Sequence, residues 1–464
     1  MWSDYLSHDT IVALASPPGG AICILRMSGP KAKAVFFSLL AKKPAVKDRT
    51  LFIAKLLRSD QKPMDEALCA VFSAPQSYTG EDLIEVHLHG SAFIATQVME
   101  ELLRLGVRAA LPGEFSFRAV RNGKMDLTQA QAVADLISSS NQAAAELALE
   151  KMGGSQNRLV QEMAEKLRTL ASMSELGIDF SDQDVEELSL PALKIKLVEV
   201  QQALLKLQHS FDRGNKIQEG IQVAFIGLPN SGKSSLFNAF LGEERAIVSD
   251  IAGTTRDVLR EKITLRGKNA SITLRLEDTA GIRTTSDTIE SMGIERSLRS
   301  AESADLILFL WDLTQAKAEE EIFSVWKKLG APQNKTVVVL TKLDLVSDVV
   351  RVGAEKKINE LGIKTFQSVS SLTQDGIKEA IEKIVTHCAH SIQRSPGEVL
   401  LTRLEQKHAV DRALAHIDRA LLSTEEDLFA ADIRQALLSL SPVMGETPTD
   451  DLLGRIFSQF CIGK

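Results

Sequence analysis

The sequence predicts a multidomain protein of α/β and all-α character: an N-terminal α+β domain, an all-α helical domain, and a phosphate-loop α/β module inserted in the helical one. Three observations carry this expectation. Short apolar runs alternate with dense turn clusters up to about residue 120. Helical periodicity takes over from Leu127 to about Phe211 and returns from about Leu401. Between the two helical blocks, strands alternate with helices around a glycine-rich loop.

In the first region Ile22–Arg26, Ala67–Phe72 and Leu83–Leu88 read as strands and Val98–Leu105 as an amphipathic helix. Pro17-Pro18-Gly19-Gly20, Ser28-Gly29-Pro30 and Leu111-Pro112-Gly113 punctuate it. In the helical blocks, apolar residues recur through Ala130, Val133, Ala134 and Ile137, then through Leu193, Ile195, Leu197, Val200, Leu204 and Leu207. The stripe resumes with Leu414, Ile417, Leu421, Leu422, Ile433, Leu437 and Leu438. The expected boundaries are 1–122 for the α+β domain, 123–214 and 386–464 for the two parts of the helical domain, and 215–385 for the inserted module. Insertion is easy where the ends of a domain lie close together.

Composition narrows the function classes. With 44% hydrophobic and 25% charged residues the 464-residue chain is ordinary globular protein, not a disordered one. No apolar run approaches the ~18–20 residues that span a bilayer, and Met1-Trp2-Ser3-Asp4 lacks the features of a secretory signal. Cys23, Cys69, Cys388 and Cys461 have no metal-ligand spacing, so a reducing, cytoplasmic setting is expected. A net charge of −7 argues against broad coating of nucleic acid and leaves RNA contact to a local basic patch.

The apolar strand Ile221–Ile226 runs into Gly227-Leu228-Pro229-Asn230-Ser231-Gly232-Lys233-Ser234, and Ser235–Phe240 reads as a helix. In that context the G-x-x-x-x-G-K-[ST] spacing predicts a phosphate loop, with backbone N–H groups around phosphate oxygens. Lys233 is expected to bridge the β- and γ-phosphates and Ser234 to offer its hydroxyl to Mg²⁺. After the strand Val337–Leu340, Thr341-Lys342-Leu343-Asp344 resembles the [NT]-K-x-D element of GTPases, whose Asp accepts from guanine N1 and the exocyclic amine. Ser370-Ser371-Leu372 fits the closing base-contact loop. Asp278-Thr279-Ala280-Gly281 resembles the D-x-x-G switch that senses the γ-phosphate, and Gly253-Thr254-Thr255 supplies the threonine of the first switch. Together these predict a Ras-like module that binds GTP with Mg²⁺.

Ras-type enzymes place Gln after D-x-x-G to orient water, whereas this chain has Ile282. Asn230 with the Ser249–Thr255 segment (Ser249, Asp250, Ile251, Ala252, Gly253, Thr254, Thr255) resembles the potassium-dependent GTPases, where K⁺ takes the place of an arginine finger. A plain turn residue after Pro229 is the alternative for Asn230.

The chain resembles, end to end, the MnmE (TrmE) family of tRNA-modification GTPases. The resemblance rests on Asp9-Thr10-Ile11-Val12, Tyr78-Thr79-Gly80-Glu81-Asp82, Pro112-Gly113-Glu114-Phe115, Asn122-Gly123-Lys124 with Asp126-Leu127, the nucleotide motifs and Phe460-Cys461-Ile462-Gly463-Lys464. It implies that the N-terminal domain has a tetrahydrofolate-binding-like fold and builds a homodimer. It further implies an FAD-binding MnmG (GidA) partner forming a heterotetramer, and addition of an aminomethyl or carboxymethylaminomethyl group at C5 of the wobble uridine, U34, of certain tRNAs. The one-carbon donor would be a 5-formyl- or methylene-tetrahydrofolate.

Carried onto this sequence, the family's K⁺ ligands fall on Asn230, Ser249, Ile251 and Thr254, and its Mg²⁺ ligands on Ser234 and Thr255. Its catalytic Glu falls on Glu290, and its folate contacts on Arg26, Glu85, Lys124 and Lys464. Cys461 is the family's conspicuous thiol, with a core cysteine as the alternative reading. His87 and His89 share a strand face and read as packing or surface residues. The Pro17–Gly20 loop is about one residue shorter than the family's usual, and Ser441-Pro442-Val443-Met444-Gly445 replaces its usual turn. A ribosome-assembly GTPase of the Era or Der kind is the competing reading. It would need an RNA-binding appendage such as a KH domain, where the C-terminal block here is helical.

Overall fold

The computed structural model describes residues 5, 8–42, 44–179, 189–243, 246–248, 261–276, 300–315, 319–328, 330, 332–395, 397–445, 453, 456–458, 460 and 462–463. Two compact units divide the chain: residues 1–134, 151–165 and 437–464 form the first, and residues 135–150 and 166–436 the second.

The first unit is built on a six-stranded sheet. Its strands are β1 (Ile11–Leu14), β2 (Ile22–Ser28), β3 (Leu51–Leu57), β4 (Pro63–Phe72), β5 (Leu83–His89) and β6 (Arg108–Ala109), in the order β3-β4-β5-β2-β1-β6. All pairs are antiparallel except β1 with β6. Alternation along the strands separates the two faces. Cys23, Leu25 and Met27 of β2 and Ile84, Val86 and Leu88 of β5 join one core with α1 (Ala32–Ser38) and α2 (Ala92–Arg104). The opposite face carries Arg26 beside Glu85 in register. The helix α3 (Glu114–Arg121) starts at Gly113, whose φ is +66; a Cβ there would sit 2.6 Å from the carbonyl of Phe457, so only glycine admits the C-terminal segment. Phe457 is fully buried and meets Phe117 edge-on at 5.7 Å.

Helices α4 (Leu127–Ser138), α5 (Gln142–Met152) and α6 (Ser155–Asp179) follow, with Gly153-Gly154 breaking the chain between the last two as expected. In the second unit α7 (Leu190–His209) buries Leu193, Leu197, Val200, Leu204 and Leu207, a 3–4 spacing that makes one stripe. Ile195 stands two residues off that stripe and is 71% exposed, so its place in the expected apolar series is corrected: a two-residue step on a helix points to the opposite side. Leu422 and Leu438 are exposed for the same reason on α13 (Leu404–Leu422) and α14 (Glu426–Leu440). Side-chain bonds from Gln201 to Asp418 and from Gln208 to Asp411 tie α7 to α13.

The helix α8 (Phe211–Glu219) delivers the chain to a seven-stranded sheet: β7 (Ile221–Gly227), β8 (Ala246–Val248), β9 (Glu261–Arg266), β10 (Ser271–Leu276), β11 (Leu306–Asp312), β12 (Thr336–Thr341) and β13 (Phe366–Ser368), ordered β13-β12-β11-β7-β10-β9-β8. From β13 to β10 every pair is parallel; β10-β9-β8 is antiparallel. Parallel strands covered on both faces read as unbroken apolar runs. Val223 and Phe225 enter one core with α9 (Lys233–Gly242) and α12 (Ile377–Ile392), while Ala224 and Ile226 enter the other with α11 (Asp348–Glu360); α10 (Glu319–Lys328) supplies Trp326 there. The strand order reverses at β7, with β10 on one side and β11 on the other, which opens a crevice at the strand's carboxyl end.

Candidate functional site

The phosphate loop sits in that crevice. After β7 the chain turns through Asn230, left-handed at φ +59, and Gly232, at φ +89, before α9 begins at Lys233. Gly227 is required by space: a Cβ would lie 2.6 Å from Ser231 Oγ and 2.8 Å from the Leu310 carbonyl. Among the described residues the buried Ser231 hydroxyl has no hydrogen-bond partner, an orphan that an incoming oxygen would satisfy. Lys233 Nζ donates to the carbonyls of Gly227 and Leu228 at 2.9 and 3.0 Å, holding the ammonium across the loop. Burial pulls its pKa below the ordinary lysine range. Ser234 and Ser235 follow in the first turn of α9, and Asn230 is exposed at the loop's tip.

The Thr341-Lys342-Leu343-Asp344 element stands at the end of β12. The Thr341 hydroxyl donates to the Ser231 carbonyl at 2.8 Å, tying it to the phosphate loop across 110 residues of sequence. Lys342 is left-handed, and its Nζ pairs with the buried Asp312 at 2.7 Å. Burial works against the Asp312 charge, but Lys342 and Thr314 outweigh it and hold the carboxyl below its ordinary range. The Leu343 amide donates to the Val369 carbonyl, which brings the Ser370–Leu372 loop alongside. Asp344 is exposed in the one-turn 3-10 helix Leu343–Leu345. Ser370 is buried and its hydroxyl accepts from the Thr373 amide; Ser371 is half-buried and Leu372 exposed. The structure thus brings phosphate loop, T-K-L-D element and closing loop to one edge of one sheet. Ser249–Thr255, Asp278–Gly281, Glu290, Cys461 and Lys464 lie outside the described residues.

In the first unit, Arg26 and Glu85 face each other across β2 and β5, with Nε and Nη2 both on Glu85 Oε1 at 2.9 and 2.6 Å. The guanidinium lies 5.6 Å from the Tyr78 ring centre and 5.9 Å from that of Phe115. Its Nη1 reaches the carbonyl of Gly463 at 3.5 Å. Lys124 Nζ donates to the Pro75 carbonyl at 3.0 Å, and its stem packs on Gly80. His89 Nδ1 meets Asp65 at 2.7 Å, and among the described residues no group of His, Cys, Asp and Glu has the arrangement of a metal site.

Sequence reading gave Asp9, Glu81 and Glu114 no chemical role. The fold gathers them around Arg118, which is 2% exposed and pairs with the three carboxylates at 2.8, 3.1 and 2.9 Å. Arg108 bridges Asp9 and Glu114 from the other side. Burial opposes the Arg118 charge, yet Glu81 and Glu114 more than offset it and raise its pKa. The Ser28 hydroxyl, hydrogen-bonded to Thr79 and Glu81, and the Tyr78–Ser116 bond attach this cluster to the Arg26 wall. The only signal available in sequence was that three separate motifs each carried an acid.

Among the described residues no helix is long and apolar enough to cross a membrane. A family model described as the MnmE helical domain matches residues 127–461, and one described as the GTP-binding protein TrmE N-terminus matches residues 10–124. The chain is 38% identical to the tRNA modification GTPase MnmE of Cytophaga hutchinsonii over 98% of each chain. It is 37% identical to that of Bacteroides thetaiotaomicron, covering 99% of this chain and all of the relative, and 36% identical to that of Clostridioides difficile, covering 98% and 99%. Among solved structures, the G domain of the T. maritima FeoB iron transporter is matched over 36% of this chain and 98% of its own, at 24% identity and a TM-score of 0.26. Near-complete coverage by these relatives, on a fold that carries a phosphate loop joined to a T-K-L-D strand, shows that the chain belongs to the MnmE family of tRNA modification GTPases.

Proposed function

We propose that the chain is a potassium-dependent GTPase, which hydrolyses GTP to GDP and phosphate. As a homodimer working with an FAD-binding MnmG (GidA) protein, it would add an aminomethyl or carboxymethylaminomethyl group at C5 of the wobble uridine of certain tRNAs. The observation that carries the nucleotide half is the Thr341–Ser231 bond, which fixes the base-recognition strand to the phosphate loop before any ligand arrives.

Each residue's part follows from its chemistry. Lys233 exchanges two carbonyl partners for phosphate oxygens, and the orphan Ser231 hydroxyl gains an acceptor. Asp344 accepts from the guanine edge, with Ser370, Ser371 and Leu372 closing over the base. Ser234 and Thr255 would hold Mg²⁺; Asn230, Ser249, Ile251 and Thr254 would hold K⁺. The exposed carboxamide at the loop tip suits a hard monovalent cation. These ions, when bound, would supply positive charge beside the phosphates, while Ile282, which cannot hydrogen-bond water, leaves the orientation of the attacking water to another group. Glu290 would orient water through a neighbour.

On the first unit, Arg26 and Glu85 offer a cation and a carboxylate between two aromatic rings, a donor set that suits a pterin with a glutamate tail, with Lys124 and Lys464 for the carboxylates. Cys461 would act in the one-carbon transfer. The decisive experiment is mass analysis of wobble nucleosides from cells lacking the protein. Loss of the C5-substituted uridines is expected; an unchanged profile sinks the modification role.

A further inference from the structure

The ammonium of Lys342 has a partner that lies outside the base-recognition motif. Lys342 leaves β12 with φ +61, a setting that residues with a Cβ seldom take. Its Nζ lies 2.7 Å from Oδ2 of Asp312, the last residue of β11. Asp312 is 1% exposed, and its Oδ1 accepts from both the amide and the hydroxyl of Thr314, at 2.9 and 2.7 Å, so the carboxylate is pinned. One residue earlier, Thr341 is tied to Ser231 of the phosphate loop. Consecutive residues are therefore tethered in two directions. The Lys342 side chain, one third exposed, is held between those tethers, with exposed Asp344 two residues on.

We infer that Asp312 is a positioning residue of the base pocket, holding the Lys342 stem outstretched as an apolar rail for the purine plane. This rests on reading Thr341–Asp344 as the guanine site. An untethered lysine samples many rotamers, and a ligand must order it on binding; Asp312 does the ordering in advance. The rail meets the ring and not its edge, so it serves any purine alike, and choice among purines stays with Asp344.

The test uses the full chain, titrated with fluorescent mant-GDP and assayed for GTP turnover, in Asp312→Asn, Lys342→Met and the double variant. Asn keeps an acceptor for Thr314 and removes the charge that holds the ammonium. In Asp312→Asn, Kd for mant-GDP and KM for GTP rise about tenfold while kcat at saturation and the preference for GTP over xanthosine triphosphate hold. In the Lys342→Met background Asp312→Asn adds no further loss. Fully additive losses, or an unchanged KM in a folded Asp312→Asn protein, overturn the inference. Asp344→Asn is the separate arm. If it leaves the preference for GTP intact, the guanine reading itself falls; if it moves preference to xanthosine triphosphate while the cycle is additive, only the role of Asp312 falls.

Discussion

The phosphate loop and the Arg26–Glu85 cluster are built by opposite means. The loop is one run of eight residues from Gly227 to Ser234, shaped by two left-handed residues and a glycine that admits no Cβ. The cluster is assembled from side chains that lie far apart in sequence: Arg26 meets Glu85 across 59 residues and Gly463 across 437. A site of the first kind is set by one strand–turn–helix run and the strands packed beside it, through Leu310 and Thr341. The second kind needs its whole unit folded, and here it leans on the buried ion cluster around Arg118. The two should therefore fail separately.

Arg118→Met tests this most severely. It strips the central cation from three carboxylates, one of them fully buried, and is expected to destabilise the first unit by about 3 kcal/mol in urea unfolding. GTP turnover below the transition should stay within about twofold of the parent protein; joint collapse of both sites would break the comparison. Lys233→Ala is the converse, lowering GTP turnover by about a hundredfold while the unfolding midpoint and binding of 5-formyltetrahydrofolate are retained. Glu85→Gln sharpens the difference at the other site. Calorimetric titration with 5-formyltetrahydrofolate should show about tenfold weaker binding, with GTP kinetics unmoved. Asn230→Ala carries the smallest effect: parent turnover is expected to rise severalfold when K⁺ replaces Na⁺, and the variant should lose that rise while still binding mant-GDP. Equal rates of the parent in the two salts would remove the cation from the mechanism.

What could be read from sequence divides along the same line. Ile221–Ser234 and Thr341–Asp344 announce themselves because spacing along the chain equals geometry in space, and the structure places them on one sheet edge. The α7 stripe was legible through its period, apart from Ile195, whose two-residue offset puts it on the wet side. The acids of the Arg118 cluster were visible only as members of three unrelated motifs, since burial and pairing are properties of the folded sheet. Asp312 gave no signal at all: its contact with Lys342 runs between neighbouring parallel strands, and strand order is not written in any short window. Arg26 and Glu85 were found through family resemblance, because the antiparallel register that joins them is set by the fold.

The carbonyl of Gly463 beside Arg26 has a consequence for biosynthesis. Gly463, at φ +93, fits against the Leu14 carbonyl, where a Cβ would come within 2.3 Å. A ribosome must add 437 residues after Arg26 before that contact can close, which at ~5–20 residues per second takes about 20–90 s. The entire sheet that carries the phosphate loop emerges during that interval. A prematurely terminated polypeptide would thus lack the Gly463 contact to Arg26 even though every strand of the sheet bearing the phosphate loop had already been synthesised.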